Sequence, residues 1–271
     1  QARHHQGTRL EARQGAPDAR KGLTPRCPAR DGRDRTGTAD RLTDELIELM
    51  GRISRFEGGG SLAPVANQVR NTESQFYQDI LGLLLSRGKQ GGYFVEFGAC
   101  DGVKISNTYL LEKNFGWQGI LAEPGREWID DLRKNRSCHL ETKCVWRCSG
   151  ETIPFYEAGG NQLQSSADAG HMDINRKTLY EVETISLSDM LKKYNAPKFI
   201  DFMSIDVEGT EFKIIENFPF DEYSFGLVCI EHHLPEEESR IKQLMSKNGY
   251  KQILRSVTDL DGLYVPDAVA A

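Results

Sequence analysis

The sequence predicts an α/β fold in which a mostly parallel sheet is covered by helices on both faces. Three observations carry this. Over about 170 residues after Gly91-Gly92, short apolar runs alternate with helical stretches, and such alternation implies parallel strands joined by crossover helices. The 271 residues, 38% of them hydrophobic, suffice for one large domain or two small ones with a real core. Acidic residues gather directly after the apolar runs, where a parallel sheet binds its ligand.

The N-terminal region does not share this pattern. Residues 1–40 hold nine Lys/Arg and five Asp/Glu, no aromatic residue, and few large aliphatics. Residues 1–37 are therefore expected to be a disordered basic tail. Leu42, Leu46, Ile47, Met50 and Ile53 recur at helical spacing, which predicts an N-terminal helix. Gly58-Gly59-Gly60-Ser61 breaks it, so 38–71 reads as helix plus Gly-rich linker and 72–271 as the main domain.

Beyond residue 40 the chain carries 25 basic and 35 acidic residues, a net of −10. A body this acidic is a poor match to a polyanion, so general nucleic-acid binding is excluded. The apolar run from Ile80 to Leu85 is far too short to cross a bilayer, and the basic N-terminus lacks the apolar core of a signal peptide. Cys27, Cys100, Cys138, Cys144, Cys148 and Cys229 form no CxxC pair. They read as reduced thiols, which points to the cytoplasm.

Within the main domain a helix is expected from a cap near Thr72 through Phe76, Ile80, Leu83 and Leu84. Strands are expected at 93–97, 119–122, 139–145, 199–205 and 225–230. Helices are expected at 108–114, 127–134, 187–194, 211–217 and 236–248.

The strand ends hold the candidate chemistry. After the first strand comes Glu96-Phe97-Gly98-Ala99-Cys100-Asp101-Gly102, where Gly98 and Gly102 permit a sharp turn and close approach to a ligand. Cys100 stands where a dinucleotide fingerprint needs its second glycine, and Glu96 and Asp101 would repel a pyrophosphate. Those carboxylates suit a ligand with ammonium and sulfonium charges, as in S-adenosylmethionine. Glu123 ends the second strand, placed to accept both hydroxyls of a ribose. Asp206 and Glu208 follow the fourth strand and Glu231, His232 and His233 the fifth. Such a rim suits a general base or a divalent cation. Helix capping by Asp206 and Glu208, and a plain surface role for the histidines, are the competing readings.

Five ordered blocks carry a resemblance: Ser74-Gln75-Phe76-Tyr77-Gln78-Asp79, Tyr93 to Gly102, Ser106 to Glu112, Gly119-Ile120-Leu121-Ala122-Glu123-Pro124, and Ser204-Ile205-Asp206-Val207-Glu208-Gly209. Over roughly 72–254 the chain resembles the FkbM-type methyltransferases. The resemblance implies a class I methyltransferase (Rossmann-like) fold with a seven-stranded, mostly parallel sheet. It implies S-adenosylmethionine as cofactor and methyl transfer to a hydroxyl of a sugar, glycan or polyketide-like small molecule. The cofactor residues it implies are Glu96, Gly98, Ala99, Asp101, Gly102 and Glu123, with Asn107 and Thr108 after the turn and Trp146 near the adenine. Cys148 departs from the acidic residue expected in relatives.

Asp206, Glu208, Glu231 and His232 are the candidates for taking the acceptor proton. The rival reading is a non-catalytic domain of the same fold that binds a glycan or protein partner. The polar, poorly periodic segment 157–180 is expected to cover the site and select the acceptor.

Overall fold

A computed structural model describes residues 63–157, 166–167, 178–232, 234–255 and 260–270. The expected tail, the N-terminal helix, most of the expected cover, Cys27 and His233 lie outside the described residues.

The strands are β1 (Tyr93–Phe97), β2 (Gln118–Ala122), β3 (His139–Glu141), β4 (Cys144–Trp146), β5 (Thr152–Glu157), β6 (Thr178–Ser186), β7 (Phe199–Ile205), β8 (Ser224–Glu231), β9 (Tyr250–Ile253) and β10 (Asp261–Pro266). The helices are α1 (Ala63–Ala66), α2 (Gln78–Leu85), α3 (Tyr109–Phe115), α4 (Ile129–Asn135), α5 (Leu187–Lys193), α6 (Glu211–Ile215), α7 (Pro235–Lys247) and α8 (Asp267–Ala270).

Seven strands form one sheet in the order β3-β2-β1-β7-β8-β10-β9. From β3 to β8 every pair is parallel, and β10 runs antiparallel to both its neighbours. This is the mostly parallel seven-stranded sheet that the resemblance implies. Alternation along the strands sorts the core into two layers. Phe94, Leu121, Phe202 and Leu227 pack with Ile80, Leu84, Leu110 and Leu132 from α2, α3 and α4. Val95, Ile120, Met203 and Val228 pack on the other face with Met190, Ile215, Ile241 and Met245 from α5, α6 and α7. After β1 the chain builds outward through β2 and β3, and after β7 it builds the opposite way. The boundary between β1 and β7 is thus the topological switch point, with a crevice at the strands' carboxyl ends.

Two expectations are corrected. The strand expected over 139–145 is two strands in different sheets, because Glu141 turns the chain: its carboxylate accepts the Lys143 N–H at 3.0 Å and pairs with Lys193 at 2.7 Å. β4 then joins β6 and β5 in a second, three-stranded sheet. The helix expected from Thr72 begins at Gln78, because Tyr77 has φ +58, a left-handed conformation no α-helix passes through. Thr72 does not cap it; its hydroxyl donates to the Asp79 carboxylate at 2.7 Å.

Candidate active site

The turn after β1 is held by the protein's own backbone. Gly98 has φ +74, and its N–H reaches Ala122 O at 3.1 Å. A Cβ at Gly98 would stand 1.9 Å from the backbone oxygen of Asp206, at the end of β7. The close approach that glycine permits here is between two strand ends. Gly102 is equally confined: a Cβ there would meet Leu132 at 2.5 Å and Arg136 at 2.7 Å.

Beneath the turn lies a buried polar layer. The Glu96 carboxylate accepts the Asn107 N–H at 2.7 Å, the Ser106 hydroxyl at 3.0 Å and the Thr108 hydroxyl. Arg136 lies 3.8 Å from the same carboxylate and donates to Glu112 at 2.7 Å, Gly102 O at 2.9 Å and Thr108 at 2.8 Å. Burial pushes the Glu96 carboxyl up, while Arg136 and the donated hydrogen bonds oppose that. Glu96 and Thr108 thus shape the loop from below. Asp101 accepts the N–H groups of Val103 and Lys104 at 2.9 and 2.8 Å, so its carboxylate closes its own turn, and Ala99 is buried within it. Glu123 joins the two strand ends: its oxygens accept the Cys100 N–H at 2.9 Å and the Gly125 N–H at 2.7 Å, and burial pushes it up to about 7.

Of the residues expected around the cofactor, Glu96, Gly98, Ala99, Asp101, Gly102, Asn107, Thr108 and Glu123 converge on this one turn. Trp146 ends β4 in the smaller sheet, with the Lys213 ammonium 5.1 Å from its ring centre. Cys148 lines a cavity of about 210 Å³ at the start of α5, together with Asp189 and Phe218.

Across the switch point, one carboxylate oxygen each from Asp206, Glu208 and Glu231 lies within 4.8 Å of the others. Neighbouring strands β7 and β8 deliver Asp206 and Glu231, and Glu208 arrives on a residue with φ +60. Three carboxylates so close have the spacing to hold a divalent cation. Glu211 opens α6, and its carboxylate accepts the Val207 and Gly209 N–H groups at 3.0 and 3.1 Å. Burial pushes Glu211 up to about 8.

His232 stands apart from the three carboxylates. Its N–H reaches Leu260 O at 2.8 Å, and the charges that act on its ring are those of Glu238, Glu237 and Arg255. Burial lowers its pKa, which favours the neutral ring.

Sequence reasoning missed Arg136, Glu211 and Ser204. Arg136 has no local signal, being one of three basic residues, with Arg133 and Lys134, around the end of α4. Glu211 was legible only as the first residue of a helix. Ser204 was quoted as part of a motif and given no role; its hydroxyl meets the Asn107 amide at 2.9 Å. Of the described residues, five cysteines are free thiols, and no helix is long and apolar enough to cross a membrane.

The sequence matches the family described as Methyltransferase FkbM domain over residues 96–252. Among solved structures the chain is similar to Methyltransferase FkbM from Methylobacillus flagellatus, at 12% identity and a TM-score of 0.41. That likeness covers 84% of this chain but 60% of the other, so the chain spans less than two thirds of that relative. It is also similar to precorrin-6y C5,15-methyltransferase from Geobacter metallireducens (12% identity, TM-score 0.36, covering 65% of this chain and 72% of that one). A methyltransferase from Pyrococcus furiosus shows 15% identity and a TM-score of 0.33, covering 84% and 98%. Likenesses this distant carry no argument about activity. No curated protein matches the chain.

Proposed function

Because the chain belongs to the FkbM family of S-adenosylmethionine-dependent methyltransferases, we propose that it methylates a hydroxyl of a sugar, glycan or polyketide-like small molecule. The observation that carries this reading is the contact at the switch point. The Gly98 turn abuts the backbone of Asp206, so the glycine turn and a cluster of three carboxylates adjoin at the strand ends.

The residues present fit the cofactor's chemistry. Glu123, directly after β2, is buried and hydrogen-bonded at a position suited to ribose hydroxyls, and the carboxylate cluster favours a cation over a phosphate. Bound there, the sulfonium supplies an electrophilic methyl group. Gly98 to Gly102 and Asn107 would hold it, with Glu96, Thr108 and Arg136 fixing the loop. Asp206, Glu208 or Glu231 would take the acceptor's hydroxyl proton, and alignment of acceptor oxygen with methyl carbon supplies several kcal/mol of the barrier. The spacing within 4.8 Å also supports a second use of the same oxygens, as ligands for a divalent cation that binds the acceptor.

Calorimetry with S-adenosylmethionine, with and without Mg²⁺, followed by a panel of sugars scored for S-adenosylhomocysteine release, tests the reading. Asp206→Asn should keep its melting temperature and cofactor affinity and lose about 10²–10⁴-fold in turnover, the usual contribution of a positioned base. A protein that binds the cofactor but releases no product with any acceptor supports the non-catalytic reading. Failure to bind the cofactor overturns the proposal.

A further inference from the structure

The block Ser74 to Asp79 resembles the family yet has no part in the scheme above, and it lies far in sequence from the rim. The structure joins the two. Gln78, the first residue of α2, is buried, and each end of its amide is engaged. Its Oε1 accepts the Phe76 N–H at 2.9 Å and the Ser74 hydroxyl, and its Nε2 donates to Asp261 Oδ2 at 2.7 Å. Asp261 is the register partner of Glu231 across β10 and β8. On the other side, Ser74 Oγ lies 2.6 Å from Asn107 Oδ1, and a β-bridge joins Ser74 to Ile105.

The proton count fixes how this chain is wired. Ser74 has one hydroxyl proton and two amide oxygens within reach. Gln78 cannot turn over, because its nitrogen would then face the Phe76 N–H and its oxygen the Asp261 carboxylate. Gln78 therefore keeps the Ser74 proton, and the Asn107 amide turns so that Nδ2 donates to Ser74 and Oδ1 accepts the Ser204 hydroxyl. Ser74 also accepts the Gln78 N–H at 3.0 Å, and every link is then satisfied.

We infer that Gln78 is a positioning residue that locks the cofactor loop at Asn107 to the carboxylate rim at Asp261 and Glu231. The inference rests on the function proposed above. Ser74 and Asn107 are 33 residues apart and Gln78 and Asp261 are 183 apart, so the frame closes only in the folded chain. It lets two loops of the site keep one spacing without any contact from Gln78 to either substrate.

The decisive experiment reverses the central hydrogen bond. Gln78→Glu places a second carboxylate against Asp261, and Asp261→Asn places a second amide against Gln78. The pair together restores one amide and one carboxylate with donor and acceptor exchanged. At pH 8 each single variant should weaken S-adenosylmethionine binding about tenfold by calorimetry, and the double variant should return to within about twofold of wild type. Ser74→Ala cuts the chain in the middle and leaves the Gln78–Asp261 bond in place. It should lose cofactor affinity with little change in melting temperature, which keeps the test open if a single variant fails to fold. The inference is overturned if Ser74→Ala binds the cofactor as wild type does, or if the folded double variant stays weak. Wild-type protein that does not bind the cofactor at all would instead overturn the proposed function, and this inference with it.

Discussion

On the β1 side of the switch point each buried carboxylate is met by donors. Glu96 receives two hydroxyls and an amide with Arg136 beside it, and Glu123 receives two amides. On the β7–β8 side, Asp206, Glu208 and Glu231 bring one carboxylate oxygen each within 4.8 Å of the others, one of them on left-handed backbone. The first arrangement fixes a loop. The second gathers three carboxylates at one rim of the sheet. The contrast is between carboxylates that fix a loop and carboxylates that meet at the strand ends.

The largest expected effect breaks the seam between the sides. Gly98→Val would drive a side chain into the Asp206 carbonyl at a residue with φ +74. It should cost more than about 4 kcal/mol of stability, read as collapse of the thermal transition. A variant that melts normally would mean the strand ends are not held together there.

An intermediate effect sharpens the comparison on the acidic side. Glu211 is raised to about 8 in the folded protein, from an ordinary value of 4.5, by burial. Between those two values the folded chain holds a proton that the unfolded chain has lost. Stability should therefore fall as pH rises from about 5 to about 8, by up to about 1.4 kcal/mol per pH unit. Glu211→Gln keeps an oxygen for Val207 and Gly209 and should flatten that part of the profile in denaturant titrations. An unchanged slope would assign it to other groups.

The smallest effect lies on the β1 side. Burial holds Glu123 near 7, and ribose hydroxyls and a cationic ligand both favour its ionised form. Cofactor affinity should rise as pH passes upward through about 7. Glu123→Gln should lose about 1–3 kcal/mol of binding and that pH dependence together. A Gln variant that keeps the wild-type pH profile would move the ribose away from Glu123.

Local signals were enough to read β1, β2, β7 and β8 to within a residue or two, and likewise α5 and α7, because apolar periodicity and turn residues report on each segment alone. The acidic strand ends were legible for the same reason: Glu123, Asp206 and Glu231 each terminate an apolar run. β5 and β6, with Pro154 in one strand and the alternation of the other broken at its start, were not read as strands, since they become a sheet by pairing with each other.

What the sequence by itself determined is therefore the parallel strands β1, β2, β7 and β8, the glycine turn and the carboxylates at the strand ends, each encoded within a few neighbouring residues. Tertiary structure alone decided that Gly98 rests on Asp206, that Arg136 reaches under the turn, and that Gln78 meets Asp261. Those contacts join segments far apart in the chain, and their partners are chosen by which faces of the sheet and helices must bury together. Hydrophobic periodicity states that a face is buried; it does not say against what.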